Sequence, residues 1–198
     1  MNNTWDQRYS NEEYIYGEAP NVFFVEQLNR LSPGKILLPC EGEGRNAVYA
    51  ATKGWNVSAF DSSEVGRLKA IQLARKKDVN IEYIVDDALS IKYPENSADS
   101  VAFIYAHFRP DIRTQIHQMA IRWLKPGGKI ILEAFNPNQL KNNSGGPKDL
   151  SMLYTVDLLK DDFNGLNIEL LQTLQVELSE GKYHEGTADV IRFVGTKE

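Results

Sequence analysis

Short apolar runs alternate with amphipathic stretches through most of the chain. Residues 35–39, KILLP, are apolar at nearly consecutive positions, as in a strand buried on both faces. Residues 45–53 follow with Ala47, Val48 and Ala51 on one helical stripe and Gly54 as a stop. The same alternation predicts a strand at 55–60 and a helix at 63–77 with Val65, Leu68, Ile71 and Leu73 turned inward. Strands at 81–85 and 101–105 come next, then a helix at 111–124 carrying Ile112, Ile116 and Ala120. Pro126-Gly127-Gly128 ends that helix and a strand at 129–134 follows. Strands and helices in strict alternation predict an α/β fold, a parallel sheet covered by helices on both faces.

Beyond 134 the pattern changes. Residues 136–149 are rich in Asn, Gly and Pro and read as a long loop, and 155–163 as a short helix. Two alternating runs, 167–178 and 187–195, are joined by the glycine-bounded segment 181–186, which predicts an antiparallel hairpin. The first 30 residues hold Trp5, Tyr9, Tyr14, Tyr16, Phe23 and Phe24, expected to form an aromatic cap and a helix starting near Pro20. One domain over 1–198 is expected: a cap (1–31), a central unit (35–135) and a C-terminal part (136–198).

With 198 residues, 42% hydrophobic and 25% charged, the composition is ordinary globular and excludes disorder or a disulfide scaffold. The net charge of −5 gives no long-range attraction to phosphate polymers, so no nucleic-acid partner is expected. A single cysteine, Cys40, fits a reducing compartment. No apolar stretch approaches the roughly 20 residues of a membrane span, and no basic segment followed by an apolar run opens the chain. A soluble, cytoplasmic monomer or homodimer is the expectation.

Chemistry enters at Gly42-Glu43-Gly44, between the first strand and the first helix. Two glycines there permit a tight turn and close backbone approach to a ligand. Asp61 lies 17 residues after Gly44 at the end of the second strand, where a carboxylate accepts both hydroxyls of a ribose. Asp86 and Asp87 end the third strand. All three loops converge on the carboxyl edge of the sheet, where open α/β sheets bind ligands. The spacing Gly42-x-Gly44-x-x-Ala47 also satisfies the dinucleotide fingerprint. Against a nicotinamide enzyme stand the second carboxylate after the third strand and the hairpin in place of a second nucleotide-binding half.

Lys35 to Asn46 (KILLPCEGEGRN), Asp61, Asp87-Ala88, the Pro126-Gly127-Gly128 turn and the final hairpin resemble a class I S-adenosylmethionine-dependent methyltransferase. Trp5-Asp6-x-Arg8-Tyr9, EGEGRN and His107 are similar to the small tellurite-resistance and thiopurine-type members. The resemblance implies a Rossmann-like three-layer sandwich with seven strands, mostly parallel and the last antiparallel. It implies S-adenosylmethionine as cofactor, Asp61 on its ribose, Asp87 near the adenine amine with the Ala88 amide at the ring, and Gly42 and Gly44 under the methionine portion. Tyr14, Glu43, Asn46, Ser62 and Tyr105 complete the expected cofactor contacts. Leu38 stands where the family often has an acid, and Cys40 where it has its first glycine. Glu41, or backbone carbonyls, would then hold the methionine amino group.

Methyl transfer needs the acceptor aligned, water excluded and any proton removed. The catalytic candidates are His107, which follows the fourth strand, and His184, in the hairpin connection Lys182-Tyr183-His184-Glu185. Packing at a helix start, or a solvated loop position, are the plain readings of the two. His117 is expected on the polar side of its helix, at the surface. Tyr14 or Tyr16 either closes over the sulfonium or packs the cap. Arg67, Lys69, Arg75, Lys76 and Lys77 read as a solvated face, and Ser144-Gly145-Gly146-Pro147 as part of an acceptor flap. With three histidines and no ligand spacing, no metal is expected. The function implied is methylation of a small molecule, a thiol or a chalcogen oxyanion such as tellurite. A non-catalytic cofactor-binding protein and an NAD-dependent oxidoreductase are the alternatives.

Overall fold

The computed structural model describes residues 4–198. Seven strands make one sheet: β1 (Lys35–Pro39), β2 (Asn56–Asp61), β3 (Glu82–Val85), β4 (Ala98–Ile104), β5 (Leu124–Phe135), β6 (Leu166–Ser179) and β7 (Glu185–Lys197). Their order is β3-β2-β1-β4-β5-β7-β6, and only β7 runs against its neighbours. The helices are α1 (Thr4–Tyr9), α2 (Val22–Leu28), α3 (Arg45–Thr52), α4 (Glu64–Lys76), α5 (Pro110–Trp123) and α6 (Val156–Asp162). The expected three-layer sandwich and its C-terminal hairpin are both present.

The strand period of two explains why KILLP reads as continuously apolar. Ile36 and Leu38 pack with Phe23 and Phe24 of α2 and Ala47 and Ala50 of α3, while Leu37 packs on the opposite face with Phe103 of β4 and Ile116 and Ala120 of α5. Each fully buried Leu or Phe of these layers contributes about 1.5–3 kcal/mol relative to exposure. Pro39, which has no N–H to donate, is the last paired residue of β1, and the ladder closes one step on with the Glu41 amide on Phe60 O at 3.1 Å.

Several boundaries differ from the pattern. The leading helix starts at Val22, because the Asn21 side chain caps it by accepting from the Phe24 amide at 2.9 Å. β5 begins at Leu124 and crosses the Pro-Gly-Gly segment with a register shift against β4, an irregularity that periodicity does not carry. The loop after β5 contains two 3₁₀ turns, Pro137–Lys141 and Leu150–Met152. On α4 the buried stripe is Gly66, Lys69, Ala70, Leu73 and Ala74, and Leu68 is 56% exposed. The correction follows from Gly44, whose added Cβ would lie 2.4 Å from Ala70 Cβ: α4 is drawn in along its small residues, not its large ones. His117 is likewise not at the surface. It is fully buried, its Nδ1 2.8 Å from Asp162 and its ring stacked on Phe163 at 4.6 Å. No helix among the described residues is long and apolar enough to cross a membrane.

Candidate functional site

Strand order reverses between β1 and β4, so the loops leaving these two strands diverge and open a crevice at the carboxyl edge. A cavity of about 580 Å³ lies there. Its floor is the loop after β1, one wall the ends of β2 and β3, the other the ends of β4 and β5. The cap closes it with Trp5, Arg8, Tyr9 and Tyr16, and the flap with Gly146, Pro147 and Lys148.

The cofactor end is built from main chain and carboxylates. Cys40 sits at φ +54°, which shows why a glycine is usual there. Gly42 and Gly44 also have positive φ. Asp61 accepts the Gly42 amide at 3.1 Å and the Ser63 amide at 3.0 Å, so one carboxylate pins both the glycine loop and the start of α4. Burial pushes its pKa up to about 6, against those amide bonds. Glu41 Oε1 accepts the Asn46 and Ala47 amides at 2.8 and 2.7 Å, capping α3, and burial pushes this carboxyl to about 7. Ser62, Asp86, Asp87 and Ala88 complete this end. Leu38 lies in the core and does not line the cavity.

Glu43 lines the same end, but its oxygens serve the cap. One is paired with Lys69 at 2.5 Å, and the other accepts the Ile15 and Tyr16 amides at 2.8 and 3.3 Å. Lys69 Nζ also donates to Asn11 O and Glu13 O, at 2.9 and 2.7 Å. Lys69 is therefore a buried latch and not part of a solvated face; Arg75, Lys76 and Lys77 remain exposed. Tyr14 is corrected too. Its hydroxyl donates to Lys69 O at 3.0 Å and its ring lies 4.9 Å from Lys69 Nζ, outside the cavity. Tyr16 lines the cavity.

The other end is aromatic. Tyr16, Tyr105 and Phe135 surround the His184 ring at centroid distances of 4.6, 4.5 and 5.4 Å. His184 is buried, not a solvated loop residue. Its Nδ1 lies 3.3 Å from Glu180, and Nε2 has no hydrogen-bond partner among the described residues. Burial lowers its pKa, with Glu180 opposing. Tyr105 belongs to this end, its hydroxyl donating to Glu133 at 2.9 Å from a left-handed backbone, φ +55°. His107 also lines the cavity, but both its nitrogens are taken: Nδ1 lies 2.7 Å from Met152 O and Nε2 accepts the Phe135 amide at 3.1 Å. It is thus the Nδ1–H tautomer, and burial drops its pKa to about 4.

Behind these rings lies a network that the sequence reading missed. Glu133 and Glu180 share the Asn21 amide group, at 2.6 and 3.1 Å. Arg45 pairs with Glu180 at 2.9 Å and Arg192 with Glu133 at 2.5 Å. Asn46 Oδ1, a cavity residue, accepts the Asn21 amide at 2.9 Å. One signal was available: Glu133 interrupts the apolar strand KIILEAF.

Residues 36–128 match a protein family described as a methyltransferase domain. That match takes in just under half of the chain. A relative, 2-methyl-6-phytyl-1,4-hydroquinone methyltransferase of Synechocystis, is 28% identical over 130 residues, 63% of this chain and 41% of its own length. The chain spans less than half the length of the curated relatives it matches. Two solved structures share the fold. One, described with the conversion of a disulfide bond into a thioacetal group during echinomycin biosynthesis, has a TM-score of 0.80 at 18% identity, covering 98% of this chain and 90% of that one. The other, TehB from Haemophilus influenzae, has a TM-score of 0.74 at 18% identity, covering 98% and 66%.

The residues present fit S-adenosylmethionine, the cofactor that the methyltransferase likeness implies. Asp61 and Asp87 both line the cavity, Asp61 buried and Asp87 exposed, and the loop between β1 and α3 brings the main chain of Gly42 to the same wall. Among the described residues no group of three or more His, Cys, Asp and Glu is arranged to hold a metal ion.

Proposed function

We propose that this protein methylates a small molecule whose nucleophilic atom carries a proton, a thiol foremost, at the aromatic end of the cavity. The observation that carries the reading is continuity: one cavity joins Asp61 and the glycine loop to an imidazole with a free nitrogen. S-adenosylmethionine, when bound, supplies a methyl carbon activated by a sulfonium. Asp61 holds the ribose, Asp87 the adenine amine, and the cap excludes water. Tyr16, Tyr105 and Phe135 align an apolar acceptor, and His184 Nε2 takes its proton. His107, with both nitrogens committed, holds the flap end at Met152 and does not exchange protons with the acceptor.

The disulfide-to-thioacetal conversion named with the echinomycin-related structure supports a soft acceptor. The free base favours a thiol over an oxyanion, which has no proton to give up at the reacting atom. Two experiments test the reading. S-adenosylhomocysteine at about 100 times its dissociation constant adds about 2.7 kcal/mol, raising the unfolding temperature by several degrees, and NAD leaves it unchanged. Label from methyl-labelled cofactor then appears on a member of a thiol panel and not on tellurite. Stabilisation by NAD alone overturns the reading.

A further inference from the structure

Each candidate base in the cavity sits in a different electrostatic setting. His107 is bonded at both nitrogens to main chain, and His117 is sealed in the core beside Asp162. His184 combines a place on the cavity wall, a carboxylate on one nitrogen and, among the described residues, no partner on the other. The carboxylate is Glu180, four residues back at the top of the hairpin. The turn between them is closed twice by main chain, Glu180 N to His184 O at 2.8 Å and His184 N to Gly181 O at 3.0 Å. The pair is therefore preset by the backbone. Gly145 of the flap lies against the far edge of the ring, where an added Cβ would fall 2.7 Å from Cδ2 and 3.2 Å from Nε2. Only a residue without a side chain leaves that nitrogen reachable.

We propose that Glu180 is the positioning residue of the site: its carboxylate takes the Nδ1 proton of His184 as a hydrogen bond, fixes the imidazole as the Nδ1–H tautomer and so leaves Nε2 unprotonated toward the acceptor. The proposal deepens the base assignment above and rests on it for its consequence, though not for its test. Glu180 suits the part because it stays ionised. Burial works against its charge, but the His184 hydrogen bond and the Arg45 guanidinium hold its pKa down at about 2. Arg45 donates to the same oxygen as the ring and Asn21 to the other, so both oxygens are tied and the carboxylate is held toward the ring.

The charges around the imidazole come from every side. Glu180 lies on its own turn, Arg45 on α3 and Glu133 on β5. Tyr105 after β4 meets it edge-on and Tyr16 of the cap at a tilt, and His107 lies close enough to oppose its charging. Glu180 is the one that touches Nδ1.

Nitrogen-resolved NMR of the histidines in the full chain, without cofactor or acceptor, tests the proposal. Wild-type His184 should show a protonated Nδ1 and a bare Nε2. Arg45 and His184 meet the same carboxylate oxygen and Asn21 the other, so a Gln could still accept at Nδ1, whereas Glu180→Leu removes every acceptor there. In Glu180→Leu the proton should move to Nε2, and the titration midpoint of His184 should fall by about 1 pH unit or more. Glu180→Asp, which keeps the charge, should retain a midpoint closer to wild type. Arg45→Gln loosens the same network without touching Nδ1 and should preserve the tautomer. A wild-type His184 protonated on Nε2 overturns the proposal even if no variant folds. So does a Glu180→Leu spectrum that matches wild type or Arg45→Gln, which would make Glu180 merely structural. These spectra are independent of methyl transfer, so failure of the labelling experiment above is a separate result.

Discussion

At the cofactor end, Glu41 and Asp61 are held by main-chain amides of nearby segments; at the acceptor end, Glu133 and Glu180 are held by side chains from distant ones. The electrostatic outcome differs accordingly. Amide dipoles compensate the first pair only in part, and burial leaves both carboxyls raised, to about 7 and about 6. Guanidinium groups from Arg45 and Arg192 neutralise the second pair, and Glu180 falls to about 2. One end is left wanting donors, which a ribose supplies. The other is internally satisfied and presents an aromatic wall with two imidazoles, of which His107 is bonded at both nitrogens, a surface suited to a neutral acceptor.

The comparison breaks most sharply at His184. If the ends are separate in function, His184→Asn should lower turnover by about 10²–10⁴-fold, the usual span for loss of a general base. Affinity for S-adenosylhomocysteine, measured by calorimetry, should stay within about twofold, since nothing on the Asp61 side moves. Equal losses in turnover and cofactor affinity would mean that the cavity acts as one unit.

Asp61→Asn is the reciprocal experiment and the next in size. Loss of a hydrogen bond to a charged group should weaken S-adenosylhomocysteine binding by about 1.5–3 kcal/mol. The pH dependence sharpens it. The carboxylate form accepts the ribose, and in the free protein that form appears as pH rises through about 6. Affinity should thus be flat above that value and fall below it, approaching tenfold per pH unit. Asn cannot titrate, so this step should vanish in the variant.

The same contrast explains what the sequence disclosed. Asp61 is reached from Gly44 through one helix and one strand, so spacing alone brings it to the glycine loop. Local periodicity likewise yields the parallel strands and the final hairpin. The network of Asn21, Arg45, Glu133, Glu180 and Arg192 is assembled across as many as 159 residues, and no local rule pairs them. His117 was misplaced because periodicity registers only that a side of α5 is polar. The partner that turns this side inward, Asp162, arrives on another helix. Lys69 was misplaced for the same reason, its partner Glu43 being a loop residue of the glycine turn.

The smallest expected effect tests the border between lid and latch. Tyr14 stands outside the cavity and donates to Lys69 O, while Lys69 pairs with Glu43 and holds the carbonyls of the cap. Tyr14→Phe removes one hydroxyl and leaves the ring over the ammonium. Stability in urea should fall by about 0.5–1.5 kcal/mol, the net worth of a single hydrogen bond. Cofactor affinity should not change, because Tyr16, not Tyr14, meets the cavity. The ring is half-buried, so water can satisfy the freed carbonyl and the loss belongs at the lower part of that range. A clear loss of cofactor affinity in this variant would show that the latch transmits its strain through Glu43 to the glycine loop. The cap would then be part of the cofactor end, and the division of the cavity would run between Tyr16 and His184 and not between cap and core.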